Sequence, residues 1–276
     1  MPVQVLEESS DRIKVLFDGF PRVYVNALRR AAISLVHVMA IDDVVILENT
    51  SSFYDEVISH RLGMIPLKTP LDKYLLPSEC DCKSALGCSK CRVLLVLDAE
   101  ATDRPRNVFS AELVSEDEEV KPISPSIPIL KLAQGQKIKL EAYAKLGRGK
   151  THAKWQAASA SVLTSYPIIT QNLSCNNCGV CVDVCVKNVF VKRDGLLKVV
   201  NPLNCNLCLE CTKACKVEPK GVDITESQDK FILSIESGGS MFAKDVLLQA
   251  GREIISQIDG LIEKFSEKVI SVEKEE

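Results

Sequence analysis

The sequence predicts an α+β fold in which one domain, formed by both ends of the chain, is split by inserted segments. Three observations lead to this prediction. Strand-like and helix-like segments open the chain, and a second strand and helix pair closes it. Between these two ends, all twelve cysteines lie in three short groups. We therefore expect the two ends to form one domain and the cysteine groups to belong to insertions.

Composition places the chain among folded proteins and excludes several functions. It has 276 residues, of which 46% are hydrophobic and 26% are charged, which is enough to bury a sizeable core. A formal net charge of −3 gives no basic excess of the kind that binds nucleic acid. No apolar run approaches the roughly 18 residues of a membrane span, and the first residues do not resemble a secretory signal. We predict a cytoplasmic protein, in which clustered cysteines indicate metal sites before disulfides.

The elements of the first 67 residues follow from their apolar spacing. Alternation in DRIKVLFDGF predicts a strand that ends in a turn at Asp18-Gly19. Pro21 then precedes RVYVNALRRAAISLVHVM, which we predict to be one helix over residues 22–39. AIDDVVILENT predicts a strand, and FYDEVISHRLGMIPL predicts a short helix that ends at Gly63.

The rest of the chain alternates strands with loops before a long terminal helix. Residues 92–171 have the pattern of strands and loops, and EDEEVKPISPSIPIL, with three prolines, indicates a loop or extended segment and not an element of the core. DKFILSIESGG predicts one further strand. In the helix after it, apolar residues recur at separations of three and four, at Leu247, Ala250, Ile254, Ile258, Leu261, Phe265 and Val269, and Ile255, Ile262 and Ile270 widen the stripe. Such a helix packs either on its own domain or against a partner.

Two cysteine runs carry the most specific signal in the sequence. SCNNCGVCVDVCV and NCNLCLECTKACK both have the spacing C-x2-C-x2-C-x3-C, which is typical of ferredoxins. Because the fourth cysteine of each run serves the other cluster in two-cluster ferredoxins, we assign Cys175, Cys178, Cys181 and Cys215 to a first cluster, and Cys205, Cys208, Cys211 and Cys185 to a second. The segment between the runs predicts a β-hairpin around Asp194-Gly195.

The cofactor in these runs has alternatives. Up to two 4Fe-4S clusters are expected, but one site could hold a 3Fe-4S cluster, and zinc in both runs is the other interpretation. The chain also departs from the ferredoxin pattern, since Val186 and Lys216 follow the fourth cysteines where proline is usual.

A third cysteine group has a different spacing. In ECDCKSALGCSKCR, Cys80, Cys82, Cys88 and Cys91 form C-x-C-x5-C-x2-C, which does not fit an iron–sulfur run. Four thiolates on one compact loop favour a structural zinc ion, and the alternatives are disulfides or free thiols. A separate motif, AKLGRGKT at 144–151, looks like a phosphate loop but lacks its first glycine, so we do not predict nucleotide binding.

Three segments resemble one known family. The block NALRRAAISLVHVMAIDDVVILENTSSFYDEVISHRLGMIPL closely resembles the D-type subunit of archaeal DNA-directed RNA polymerase, the eukaryotic third-largest subunit and the N-terminal half of bacterial alpha. LGRGKTHAKWQAAS is similar to a second signature of that family, and the loop of residues 80–91 is similar to the family's zinc loop. A ferredoxin-like insertion is known in some archaeal members.

The resemblance implies an alpha-subunit-like dimerisation domain made of residues 1–43 and 224–276. A mostly-β domain at 44–168, which includes the residue 80–91 loop, and a ferredoxin-like iron–sulfur domain at 169–223 would be inserted in it. It also implies a non-catalytic platform that forms a heterodimer with subunit L and then assembles with subunits N and P and the two large catalytic subunits, so that DNA is met only through the complex. Arg29 and Arg30 match the arginines that dock a large subunit, whereas the roles of His60, Arg61, His152 and Lys154 stay open.

Partner-binding candidates are therefore Arg29, Arg30 and the helix residues Leu247, Ile254, Ile258, Leu261 and Phe265. No clustered acid–base or nucleophilic set suggests catalysis within this chain. The clusters are expected to be mainly structural, with a regulatory effect on assembly as a further option. The alternative function is a ferredoxin-type electron carrier or redox sensor.

Overall fold

The computed structural model describes residues 2–82, 84 and 86–272, and side chains as far as residue 266. These residues divide into two compact units. The first unit comprises the residues up to Leu6, together with Lys14–Ala27 and Val162–Ser234. The second comprises Glu7–Ile13, Leu28–Ser161 and the residues from Ile235 onward.

The described residues form both helices and strands, as the predicted mixed fold requires. The α-helices are α1 (Arg22–Ser34), α2 (Asp55–Gly63), α3 (Val180–Val184), α4 (Glu210–Ala214) and α5 (Ala243–Val272). The strands are β1 (Val3–Glu8), β2 (Arg12–Asp18), β3 (His37–Asn49), β4 (Arg92–Glu100), β5 (Arg106–Phe109), β6 (Val114–Ser115), β7 (Pro128–Leu132), β8 (Lys137–Arg148), β9 (Ala158–Gln171), β10 (Phe190–Arg193), β11 (Leu196–Val199) and β12 (Val222–Ser237). No helix in the described part of the chain is long and apolar enough to cross a membrane.

The first unit contains both cysteine runs. It also contains most of a sheet with the strand order β1-β2-β12-β9, and a separate antiparallel hairpin formed by β10 and β11. The hairpin turn is Asp194-Gly195, and both residues have positive φ, at 54° and 76°. A small apolar core contains Phe190 and Leu197 from the hairpin and Ile224 from β12, together with the thiols of Cys181 and Cys211.

The second unit is built on an antiparallel sheet with the order β3-β8-β4-β6, beside the β5-β7 pair. Alternate residues of β4 and β8, such as Leu95, Leu97, Ile138 and Leu140, are fully buried in one large core. Helix α2 adds Ile58 and Leu62 to the same core.

Most predicted elements are confirmed, with two corrections and one omission. EDEEVKPISPSIPIL was predicted to lie outside the core, but Val120, Ile129 and Leu130 are buried in the large core of the second unit. Proline is tolerated at the first residue of a strand, so Pro128 begins β7 without keeping the apolar residues after it out of the core. The helix predicted over residues 22–39 ends at Ser34, because His37–Met39 pair with Leu146–Arg148 and so begin β3. Valine-rich sequence fits the sheet at least as well as the helix, so apolar periodicity could not place this boundary. Strand β1 was not predicted. Residues Val269 and Ile270 of the terminal stripe lie outside the described side chains.

Candidate metal centres

The loop that precedes β4 brings its four cysteines together. The Sγ atoms of Cys80 and Cys88 are 3.7 Å apart, those of Cys82 and Cys91 are 3.8 Å apart, and those of Cys88 and Cys91 are 3.9 Å apart. All four sulfur atoms lie within 4.8 Å of one another. A tetrahedral ion with metal–sulfur bonds of about 2.3 Å requires sulfur–sulfur edges of about 3.8 Å. The loop therefore has the dimensions of a closed four-thiolate metal site.

The thiols of this loop are free, since their separations far exceed the roughly 2.05 Å of a disulfide bond. The Cys88 N–H donates to Cys91 Sγ over 3.2 Å. A backbone N–H at Lys90 and hydrogen bonds from the other three thiols lower the pKa of Cys88 to about 7, although burial opposes them. Burial raises the pKa of Cys91. The pKa of each thiol thus depends on whether its neighbours hold a proton. A cation bound by all four sulfurs would displace these protons and bind the thiolates instead.

The two cysteine runs are a conformational repeat. Asn177 and Leu207 have φ of 56° and 58°, and Gly179 and Leu209 have φ of 96° and 62°, so the left-handed residues recur at matched positions. Each run then forms a five-residue helix, α3 or α4. In both runs the second cysteine is exposed and the third is buried. The run spacing therefore specifies a backbone path as well as a cysteine pattern.

The first cavity in this unit is lined by thiols from both runs. They are Cys175, Cys178, Cys181, Cys211 and Cys215. The rest of its wall is almost entirely apolar, and about 330 Å³ of empty space lies inside it, counting the part that opens to solvent. Four of these five cysteines are the set assigned above to the first cluster.

A second cavity lies among the remaining thiols and contains about 300 Å³ of empty space, again counting the part that opens to solvent. It is lined by Cys185, Cys205, Cys208 and Cys211, which are the set assigned to the second cluster. Cys211 borders both cavities. Among the described residues, the thiols of the runs do not form a group as tight as the four sulfurs of the residue 80–91 loop. Wider spacing suits thiolates that each bind a different iron of a cube, because such thiolates do not share one ion.

Backbone donors and burial distinguish the thiols around these cavities. Backbone N–H groups at Val217 and Gly221 lower the pKa of Cys215, and the Gly221 N–H lies 3.3 Å from its Sγ. Burial raises the pKa of Cys181 to about 11. Lys220 Nζ donates to the Cys215 carbonyl over 2.8 Å and adds positive charge there. Such contacts are the hydrogen bonds and charges by which proteins tune cluster thiolates.

Gly221 also approaches the first cavity too closely to be replaced by a larger residue. A Cβ atom at this position would lie 2.9 Å from Cys175 Cα and 3.1 Å from Cys175 Cβ. Neither Gly221 nor Lys220 was singled out in the sequence, because both lie outside the runs. Lys220 and Gly221 follow Cys215, the last cysteine of the second run, by five and six residues. The sequence alone does not show that the chain comes back to the first run at this point, just before β12.

The segment that looked like a phosphate loop is structural. After β8 the chain forms a turn and a single 3-10 turn at Ala153–Trp155, not the helix that a phosphate loop requires. Lys154 Nζ donates to Asp42 Oδ1 over 2.7 Å and lies 4.3 Å from the centre of the Trp155 ring. A Cβ at Gly147 would lie 2.3 Å from the same ring, so the glycine makes room for the tryptophan. His152 caps this turn by accepting from the Lys154 N–H.

The other family-signature residues and partner candidates lie on helices. His60 is exposed at the end of α2, while Arg61 donates to the Pro128 carbonyl over 3.3 Å. On α1, Arg29 is half-buried and Arg30 is exposed. The predicted stripe on α5 changes character along the helix, since Leu247 and Ile254 are half-buried whereas Ile258, Leu261 and Phe265 are exposed.

The first half of helix α5 contacts polar side chains of the sheet through Glu253. Its carboxylate oxygens lie 3.4 Å from His37 Nδ1 and 3.8 Å from Arg148 Nη2. Burial and the Arg148 charge lower the pKa of His37 to about 4, so that the imidazole is neutral at pH 7. Sequence reasoning missed this contact because its three residues are far apart in the chain.

Comparison with known proteins places the chain in one family. Residues 39–167 match the family model described as the RNA polymerase Rpb3/RpoA insert domain. DNA-directed RNA polymerase subunit Rpo3 of Methanosphaera stadtmanae is 35% identical over 271 residues, which cover 97% of this chain and 100% of the relative. Those of Archaeoglobus fulgidus and Pyrobaculum calidifontis are 38% identical over 248 and 269 residues, covering 90% and 96% of this chain and 91% and 97% of theirs. The chain therefore belongs to the Rpo3 family of archaeal DNA-directed RNA polymerase subunits.

Proposed function

We propose that this chain is a non-catalytic assembly platform that forms a heterodimer with a small subunit of the L type. The heterodimer then binds subunits N and P and the two large catalytic subunits, with Arg29 and Arg30 on α1 facing a large subunit. Membership of the Rpo3 family carries this proposal. The exposed half of α5 supports it independently.

Two halves of α5 have different environments. Ala243, Val246 and Ala250 in the first half are fully buried. In the second half, Ile258, Leu261, Ile262 and Phe265 are 51–63% exposed. Burying one such side chain contributes about 1.5–3 kcal/mol, so four of them on one helix face form a strong apolar contact surface. We assign this surface to the small partner.

The heterodimer proposal is tested by placing a charge on this surface. Leu261→Arg should weaken binding of the small subunit by at least about tenfold, because a desolvated guanidinium would face the apolar partner. The matched control is Ser256→Arg, which adds the same charge to the exposed opposite face of the helix. Binding is measured by isothermal titration with the purified small subunit, and circular dichroism checks the fold of both variants. Equal affinities for the two variants would contradict the assignment.

We further propose that the two cavities hold iron–sulfur clusters and that the loop of residues 80–91 holds zinc. The donor sets fit these groups, since thiolates are the preferred ligands of both. Bound clusters would supply crosslinks between the two runs, and this chain's own residues position the thiols, exclude water and donate N–H groups to sulfur. The small apolar core between the runs would gain most of its stability from such crosslinks. We therefore expect loss of the clusters to increase proteolysis of residues 169–223.

Paired cysteine variants test how the thiols are shared. Protein is purified anaerobically, and its iron, sulfide and zinc are counted before electron paramagnetic resonance spectra are recorded. If the cavities define the sites, Cys215→Ser should leave the same residual spectrum as Cys178→Ser, and Cys185→Ser the same as Cys208→Ser. Sites formed within single runs would instead make Cys185→Ser match Cys178→Ser. Zinc in place of iron would remove the iron–sulfur proposal altogether.

A further inference from the structure

The second cavity has exposed apolar side chains at its edge, Leu209 and Val186, which we call the lip, and the first cavity has no such lip. Leu209 occupies the position that Gly179 holds in the first run, and it keeps the left-handed backbone at φ of 62°. A leucine in this conformation is strained, yet its side chain is 40% exposed, so burial in this chain does not offset the strain. Val186, on the wall of the same cavity, is 84% exposed. Strained and exposed apolar groups at one site indicate a contact surface.

The lip lines the same cavity as the most accessible thiol of the second site. Cys208 is exposed and precedes Leu209 directly, and Lys187 lines the same cavity. A protein that covers Leu209 and Val186 would therefore come within a few ångströms of a cluster ligand. Apolar contact beside an exposed cluster ligand such as Cys208 would keep the distance short for electron transfer from a bound protein to the cluster.

Charge indicates what kind of protein fits. Between residues 172 and 221 the sequence has seven Lys or Arg residues against four Asp or Glu residues, although the whole chain has 34 against 37. Lys213 pairs with Glu210 on the exposed face of α4. An acidic partner would be attracted to this segment and repelled by the remainder of the chain.

We propose that Val186, Leu209 and Lys187 form a docking site for a small acidic electron-carrier protein. The carrier gives one electron to the cluster of the second site, so the carrier is oxidised by one electron and that cluster is reduced by one. No bond or proton is transferred. This inference rests on the proposed iron–sulfur occupancy of the second site.

The test uses anaerobically purified protein whose iron content shows that both sites are filled. A chemically reduced, strongly acidic two-iron ferredoxin is the probe, and stopped-flow absorbance follows cluster reduction. The wild type should show a saturable rate that falls as salt is added. Val186→Ser with Leu209→Asn should lower the second-order rate constant at least about tenfold, because asparagine retains the left-handed backbone while the apolar lip is lost. Lys187→Glu should also slow the reaction and reduce its salt dependence.

Two controls isolate the docking step. Leu196→Ser removes a leucine of β11 that is 54% exposed but does not line the second cavity, and it should leave the rate unchanged. Reduction by dithionite should be the same in all variants, and complex formation with the oxidised carrier, measured by calorimetry, should weaken only in the lip variants. Equal carrier-driven rates in wild type and lip variants would overturn the proposal. So would lip variants that fail only to join the other polymerase subunits. Protein without iron at the second site would instead overturn the proposed function.

Discussion

The two cysteine runs share a backbone path but differ in the side chains that follow it. Both have left-handed residues at the same two positions, one exposed and one buried cysteine, and a short helix. The first run fills the left-handed positions with Asn177 and Gly179, which tolerate them well. The second run fills them with Leu207 and Leu209, which do not. The path therefore does not arise from local residue preference in the second run.

The cysteine spacing therefore constrains the loop more strongly than the residues between the cysteines do. Cys181 and Cys211, the third cysteines of the two runs, are both buried in the shared apolar core. The second run keeps the shared backbone path although the left-handed conformation costs about 1–2 kcal/mol at each of Leu207 and Leu209.

The largest difference between the two sites is expected when the space beside Gly221, which borders only the first cavity, is filled. In Gly221→Ala the new Cβ would lie 2.9 Å from Cys175 Cα, so the ligand loop of the first site must shift. We expect the protein to lose roughly half of its iron, all of it from the first site. Iron and sulfide analysis of anaerobically purified protein measures the loss.

Gly251→Ala is the control for this substitution. It lies in α5, and a Cβ there has no neighbour within 4 Å, so full iron content is expected. Full iron content in Gly221→Ala would mean that the first site tolerates movement of Cys175. The two sites would then be less rigid than their shared backbone path suggests.

Exchange of the residues at the second left-handed position tests whether backbone strain distinguishes the two runs. Gly179→Leu should destabilise the first unit by about 1–2 kcal/mol, because a side chain is imposed at φ of 96°. Leu209→Gly should change stability by less than about 1 kcal/mol, since relief of strain is offset by the greater freedom of glycine in the unfolded chain. Anaerobic urea unfolding followed by cluster absorbance gives both values. Equal destabilisation by the two substitutions would show that strain is not what distinguishes the runs.

Sequence reasoning located the cysteine sets but not what surrounds them. Ligand spacing is a local property, so the runs and the loop of residues 80–91 could be recognised from the sequence alone. The contacts of Gly221 with Cys175 and of Glu253 with His37 join residues that are far apart in the chain, and no local pattern reports them. The boundary between α1 and β3 was missed for a related reason, because pairing with β8 decides the conformation of His37–Met39.

The smallest expected effect concerns the link between the first run and the hairpin. Asn177 Oδ1 accepts the Leu197 N–H over 3.0 Å and the Gln171 Nε2 group over 3.3 Å. Leu207, at the matching position, instead packs against the apolar core and offers no acceptor. Asn177→Leu should therefore cost about 1 kcal/mol, which corresponds to roughly fivefold faster amide exchange at Leu197.

Hydrogen-exchange mass spectrometry of peptides that cover β11 measures this change. Leu207→Asn is the reciprocal control, since it removes apolar packing from the second run without touching the Leu197 amide. It should lower the free energy of unfolding of the whole unit. Amide exchange at β11 should then accelerate only by the factor that this global loss of stability accounts for. If both variants accelerated β11 equally, the hairpin would respond to the stability of the whole unit, and the Asn177 hydrogen bond would have no separate role. A selective effect of Asn177→Leu would instead show that the first run alone is fastened to the hairpin by a side chain, while the second is held through its apolar core.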